Sequence, residues 1–122
     1  MATLTEDYVS FETAKLLVEK GFDFNAEYES YYTLKGEIVY FKDKTLDINI
    51  APRITIQMAM KWLLEKYNIF ICILFLEESD EYGYTIENVV EKKYLATSKN
   101  LSYKKPENAC DAAIKCCLEN LI

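Results

Sequence analysis

The feature that most constrains this fold is a run of eight apolar residues, Ile69 to Leu76, directly after an amphipathic segment. The run is too short to cross a bilayer, which needs about 20 mostly apolar residues. Its length and its β-branched isoleucines favour a strand over a helix. Both faces of such a strand are apolar. We therefore expect it in the middle of a sheet that is covered on both sides, or at a subunit interface.

The segment before this strand predicts a helix. From Ile56 to Tyr67, apolar residues recur at three- and four-residue steps, which places them on one helical face. Thr55 is the expected N-cap, because its hydroxyl can accept a hydrogen bond from an early helical N–H. Asn68 is expected to end the helix, since asparagine tolerates the left-handed conformation.

The first half of the chain predicts a helix and a hairpin. The helix is expected to begin after Ser10 and to end at Gly21. Residues 31–41 read as a hairpin with Lys35-Gly36 at its turn. Alternation at residues 46–50 indicates a short extra strand.

The second half predicts strands and a final helix. Gly83 is expected in a turn after the central strand, followed by a half-exposed strand over residues 84–91. Residues 94–98 are expected to form a short edge strand. The last helix is expected to start at Pro106, because proline is favoured at the first helical position.

These elements predict one α+β domain over residues 1–122, with three helices on a mainly antiparallel sheet of four or five strands. The expected order is α-β-β-α-β-β-(β)-α, after a flexible tail of residues 1–7. A chain of 122 residues with 51% hydrophobic content is long enough to bury a core. The tail lacks the features of a secretory signal, so we expect a cytoplasmic protein with reduced cysteines and no membrane segment.

The composition argues against an enzyme. The sequence contains no histidine, the commonest general base and metal ligand, and no glycine-rich phosphate loop. No cofactor and no catalytic residue are therefore predicted.

Two groups of residues could in principle bind a metal ion, and each has a simpler interpretation. The four cysteines, Cys72, Cys110, Cys116 and Cys117, lack the paired spacing of zinc sites and are expected to be small core residues. The carboxylates at residues 77–81 crowd one turn and are expected to be a solvated loop, with a weak calcium contact as the alternative. We predict no metal site.

Charge is divided unevenly along the second half of the chain. Residues 77–91 hold acids without a base, and residues 92–105 hold lysines without an acid. The simple interpretation is a hairpin whose strands complement each other in charge. The functional alternative is a binding edge for a small anionic ligand such as a nucleotide signal, made by Lys92, Lys93, Tyr94, Lys99, Tyr103, Lys104 and Lys105.

The same edge gives a second alternative. A helix, three strands and a helix entered through Lys104 and Lys105 resemble the double-stranded RNA-binding domain. Asn108 stands where that family has a third lysine, and Glu107 and Asp111 add negative charge beside it. With a net charge of −6 as well, nucleic acid is an unfavoured partner.

The ten tyrosines are more than a core of this size needs. Aromatic residues are enriched at protein interfaces, although strand propensity alone could also explain them. The cluster around the first hairpin is the predicted interface: Tyr28, Tyr31, Tyr32, Tyr40 and Phe41.

Three segments, residues 8–22, 51–71 and 107–122, together resemble a group of small proteins encoded by tailed phages and prophages of gut anaerobic bacteria. That family opens its last helix with Thr-Tyr-Glu-Glu, where this chain has Lys105-Pro106-Glu107-Asn108 and lacks the threonine cap. The resemblance implies a phage-borne protein of the host cytoplasm and brings no catalytic residues. We therefore expect a non-enzymatic accessory protein that binds a host or phage protein and self-associates, with a dimer favoured.

Overall fold

The computed structural model describes residues 7–22, 31–32, 37–39, 51–98 and 102–122. Its elements, in chain order, are α1 (Phe11–Glu19), β1 (Tyr31–Tyr32), β2 (Ile38–Val39), β3 (Ala51–Pro52), α2 (Ile56–Tyr67), β4 (Ile69–Leu76), β5 (Glu81–Asn88), β6 (Lys93–Thr97) and α3 (Pro106–Cys116). A π-helical turn, Cys117–Leu121, continues α3.

The strands form two antiparallel sheets. The smaller sheet has the order β2-β1-β3, with Tyr32 opposite both Ile38 and Ala51. The larger sheet has the order β4-β5-β6, and β4 pairs with β5 along its whole length, from Ile69 opposite Asn88 to Leu76 opposite Glu81.

Local capping chemistry fixes both ends of α2. The Thr55 hydroxyl accepts from the Met58 N–H at 3.1 Å. Asn68 has a φ of 60° and so ends the helix in the left-handed conformation, directly before β4. At α1, the Ser10 side chain accepts from the Thr13 N–H, and Gly21 has a φ of +99°. All four roles confirm the sequence-based expectations.

The core lies between the helices and one side of the larger sheet. Its largest fully buried side chains include Leu17 of α1, Leu63 of α2, Ile86 of β5, and Ile114 and Leu118 of the C-terminal helix. The helix α3 contacts β4, β5, α1 and α2. It therefore joins the sheet to the other helices.

The α+β class, the three helices and an antiparallel three-stranded sheet are confirmed. The expected strand count and element order are not confirmed, because the described strands divide between two sheets of three. The predicted turn at residues 35–36 and the alternation at residues 46–50 lie outside the described residues. Within the predicted tail, the Asp7 carbonyl accepts from the Ile56 N–H at 2.9 Å.

Among the described strands, β4 lies at the edge of the larger sheet. Of the two places expected for it, the middle of a sheet is therefore not seen in the described residues, and a subunit interface stays a prediction. One positional prediction about this sheet was wrong. Gly83 lies inside β5 and not in the turn, which occupies residues 77–80 and closes with Asp80 at a φ of 54°. The strand β5 ends at Asn88. Val90 therefore falls in the following turn, where it is 68% exposed.

The structure gives a reason for glycine at position 83. A Cβ atom placed there would lie 2.7 Å from the Ser98 Oγ, closer than such atoms approach. That Oγ is buried and accepts a hydrogen bond from the Tyr84 N–H at 3.2 Å. The missing side chain therefore makes room for the bond that holds Ser98 against β5.

We predict that Gly83→Ala lowers the free energy of unfolding by about 1–3 kcal/mol, as expected when a methyl group is forced into a filled space. Urea denaturation measures this. Ser98→Ala removes the atom that the methyl group would strike, so the double variant should lose less than the sum of the single losses. Additive losses would show that the Ser98 contact is not the cause.

Thr55→Ala should lower the free energy of unfolding by about 1 kcal/mol, because it removes the acceptor for the Met58 N–H at the start of α2. Gln57→Ala is the matched control on the exposed side of the same helix and should stay within about 0.5 kcal/mol of the wild type. Equal effects of the two substitutions in thermal or urea unfolding would contradict the capping role.

Candidate interaction surface

The helices α2 and α3 cover one side of the larger sheet, where Phe75 is nevertheless 52% exposed, and leave the other side open. On the covered side, Ile69, Ile71, Tyr84 and Ile86 are buried under α2 and α3. Because successive side chains of a strand point to opposite sides, the even-numbered residues of β4 share the other side of the sheet. We call this other side the open face. It comprises Phe70, Cys72, Leu74 and Leu76 of β4, Glu81, Gly83, Thr85 and Glu87 of β5, and Tyr94 and Thr97 of β6.

The open face exposes large apolar side chains. Phe70 is 42% exposed, Leu74 40% and Tyr94 72%. A register shift between Ile86 and Glu87 places Tyr94 opposite Glu87, which in turn is opposite Phe70. The two aromatic rings thus occupy one row across the sheet, with the Glu87 side chain between them.

Next to this face runs the outer edge of β4. In the described part of the chain, β4 pairs only with β5. It contains no charged residue, proline, glycine or bulge, which are the features that protect most natural edge strands. Within the described ranges, the edge therefore has no partner strand and none of these protective features.

The hydrogen-bond alternation shows which groups point outward from this edge. Asn68, just before β4, accepts from the Val89 N–H at 3.0 Å, so the even-numbered residues of β4 face β5. Tyr82 fits this pattern, since it exchanges its two backbone bonds with Tyr103 and not with β4. The N–H and C=O groups of the odd-numbered residues, from Ile69 to Phe75, consequently point away from the sheet.

All four cysteines are free thiols, of which Cys117 is buried and Cys72, Cys110 and Cys116 are partly exposed. Cys72 is partly exposed on the open face. Cys117 is fully buried, as expected for a core residue, and burial raises the pKa of its thiol to about 12. Burial also raises the pKa of the half-buried Cys110 thiol. Within the described ranges, no three histidine, cysteine, aspartate or glutamate side chains come together as metal ligands would.

The structure places part of the predicted tyrosine interface in the core. Tyr32 is buried, and its hydroxyl donates to the Val9 carbonyl at 2.8 Å, so its surface is not available to a partner. Its ring packs against Phe11 with the centroids 5.6 Å apart. For Tyr31 the structure describes the backbone on β1. Tyr28, Tyr40 and Phe41 lie outside the described residues.

The predicted anion-binding residues do not come together. Lys93 is opposite Asn88 at one end of β5, whereas Tyr103 is bridged to Tyr82 near the other end, about 20 Å away. Lys92 and Tyr94 are exposed at the first end, and Lys104 and Lys105 at the second. Lys93 forms an ion pair at 2.8 Å with Glu91, two residues away in the turn before β6. This pair does not cross the strands, so charge complementarity across the hairpin stays a prediction. Lys99 is outside the described residues.

A groove of about 490 Å³ near Tyr103 does not have the charges of an anion-binding site. Its charged lining residues are Glu107, Asp111 and Lys115, so acids outnumber bases. The Asp111 carboxylate also accepts from the Ser10 N–H at 2.8 Å. These charges do not favour an anionic ligand.

The order α2-β4-β5-β6-α3, with both helices on one side of the sheet, is the order of the double-stranded RNA-binding domain. The charges differ from those that RNA requires. The turn between β4 and β5 exposes Glu77, Glu78 and Asp80, and Glu107 follows Lys104 and Lys105. RNA binding stays a prediction that these acids disfavour.

No family model, curated protein or solved structure matches this chain significantly. The fold and surface define a small α+β protein with one apolar, open sheet face beside an unprotected edge strand. None of the helices in the described ranges is long and apolar enough to cross a membrane.

Sequence reasoning missed Phe70 and Leu74 as surface residues, because it placed β4 between two layers. The sequence of β4 held no signal for this exposure, because residues far away in the chain decide which side of a strand is covered.

Thiol labelling checks this arrangement. At pH 8, iodoacetamide should leave Cys117 of the folded protein unmodified, because its pKa of about 12 keeps it protonated and burial excludes the reagent. Cys72 should react. In urea all four cysteines should be labelled, as intact-mass and peptide mass spectrometry would show. Cys117→Ala should lower the count in urea by one and leave the count in the folded protein unchanged.

Proposed function

We propose that this chain is a non-enzymatic, phage-encoded accessory protein of the host cytoplasm that acts by protein–protein interaction and self-associates, with a dimer favoured. The observation that carries this proposal is the exposure of Phe70 and Leu74 on an open sheet face, beside a strand edge that has no partner among the described strands. A contiguous apolar surface of this kind marks an interaction site more often than a solvent-facing one.

Two further points support the proposal. Tyrosine is among the residues that contribute most to interface energies, and Tyr94 lies exposed in one row with Phe70 on the open face. The phage origin rests on the resemblance of residues 8–22, 51–71 and 107–122 to phage proteins. The absence of histidine from the sequence supports a role in binding over acid–base catalysis. The interface roles of Tyr28, Tyr31, Tyr40 and Phe41 remain predictions.

Sedimentation velocity over a concentration series tests the self-association. The wild type should sediment as a dimer that dissociates on dilution. The double variant Phe70→Ser/Leu74→Ser should weaken the dimer at least about tenfold, because loss of an interface anchor costs roughly 2 kcal/mol. Unchanged melting temperatures would show that the fold is intact.

Val90→Ser is the matched control, since Val90 is an equally apolar and more exposed side chain in the turn between β5 and β6. Its dimer should be as stable as that of the wild type. A wild-type protein that stays monomeric at every concentration would overturn the self-association, and equal weakening by Val90→Ser would move the interface away from the open face.

A further inference from the structure

The outer edge of β4 requires a particular kind of strand as its partner. That partner has to be apolar on both sides, because Phe70 and Leu74 lie on the open face while Ile71 and Ile73 lie on the covered side. It also has to be uncharged, since β4 has no group to compensate a charge beside it. Among the described strands longer than two residues, the one with these properties is β4 itself.

Building on the proposed self-association, we propose that the edge of β4 pairs antiparallel with β4 of a second copy, about a two-fold axis that passes beside Cys72. A two-fold dimer brings the same patch of both copies together, so the patch must complement itself. Antiparallel pairing of β4 with itself joins the two three-stranded sheets into one sheet of six strands.

The hydrogen-bond alternation selects the register. Directly opposed residues point to the same side of a sheet, so residues of the open face must oppose residues of the open face. With Cys72 at the axis, Ile71 exchanges backbone bonds with Ile73 of the second copy, and Ile69 with Phe75 of the second copy. Every outward N–H and C=O group between Ile69 and Phe75 then has a partner.

The side chains in this register are complementary. On the open face, Phe70 is opposite Leu74 of the second copy, and Cys72 is opposite its own counterpart. On the covered side, Ile71 is opposite Ile73 of the second copy. All of these cross-strand pairs are apolar, and such pairs stabilise a sheet.

Charge distinguishes this arrangement from parallel pairing. The chain has a net charge of −6, and the turn after β4 exposes three acids. Parallel strands would place the two turns about 5 Å apart, whereas antiparallel strands separate them by about 33 Å, well beyond the screening length of physiological salt. Each acidic turn then lies near the last turn of α2 in the second copy, where Lys66 is located.

Paired charge variants test the register. In Phe70→Lys/Leu74→Lys, each lysine would face a lysine of the second copy, and in Phe70→Glu/Leu74→Glu each glutamate would face a glutamate. Either variant alone should dimerise at least tenfold more weakly than the wild type. Mixed in equal amounts, the two should form a heterodimer, because every lysine then faces a glutamate, and the heterodimer should weaken in 1 M salt.

Oxidation of the wild type tests the position of the axis. Opposed residues of a non-hydrogen-bonded pair have Cα atoms about 4.5 Å apart, within the range of a disulfide. Diamide should take two electrons and two protons from the two Cys72 thiols and leave a disulfide-linked dimer, mapped to Cys72–Cys72 by mass spectrometry. Cys72→Ser should give no linked dimer and should still sediment as a dimer.

The outcomes separate this inference from the proposed function. A wild-type protein that is monomeric at every concentration overturns both the self-association and the β4 pairing. The edge would then be occupied by a segment of the same chain or by another protein. A wild-type dimer that lacks either the Cys72–Cys72 bridge or the mixed heterodimer overturns the β4 pairing and leaves the self-association standing. The bridge together with the heterodimer supports the pairing and its register.

Discussion

The packing of α3 against the larger sheet is the contact on which the other contacts of this fold depend. Ala109 and Ala113 are fully buried, and their small side chains let the helix approach β4 and β5 closely. Ile114 and Leu118 then fill the space between the sheet and the other two helices. Because this layer covers one side of the sheet, the apolar residues of β4 that face the other way remain at the surface.

Features that depend on neighbouring residues in the sequence were predictable. Thr55 and Asn68 were assigned as the cap and the stop of α2, because capping needs only a side-chain acceptor or a tolerated φ at one position. The strand character of β4 followed from its length and composition. Its place at the edge did not, since the neighbour of a strand is decided by residues far away in the chain. Gly83 was misplaced for a similar reason, because its function depends on Ser98, fifteen positions away.

The candidate sites also depended on residues that are distant in the sequence, and so were not predictable from it. The two lysine pairs, 92–93 and 104–105, are near one another in sequence but lie at opposite ends of β5. Lys93 is opposite Asn88 at one end, and Tyr103 is bridged to Tyr82 near the other. Tyr32 was counted with a surface cluster, yet its hydroxyl is satisfied by Val9 on the chain that precedes α1. Composition can report a surplus of aromatic or basic residues, but the direction of each strand determines which of them meet.

The turn between β4 and β5 also affects how the protein is made. An uncharged strand with high β-propensity is the kind of segment that assembles into cross-β aggregates when it is exposed during synthesis. Here the strand is followed at once by Glu77 and Glu78, charges of the kind that flank aggregation-prone segments in natural proteins. The whole of β5 follows within residues 77–88, which a ribosome adds in about a second. The acidic turn thus disfavours aggregation of the nascent β4 by charge repulsion. The short connection also lets β4 pair with β5 soon after both are made.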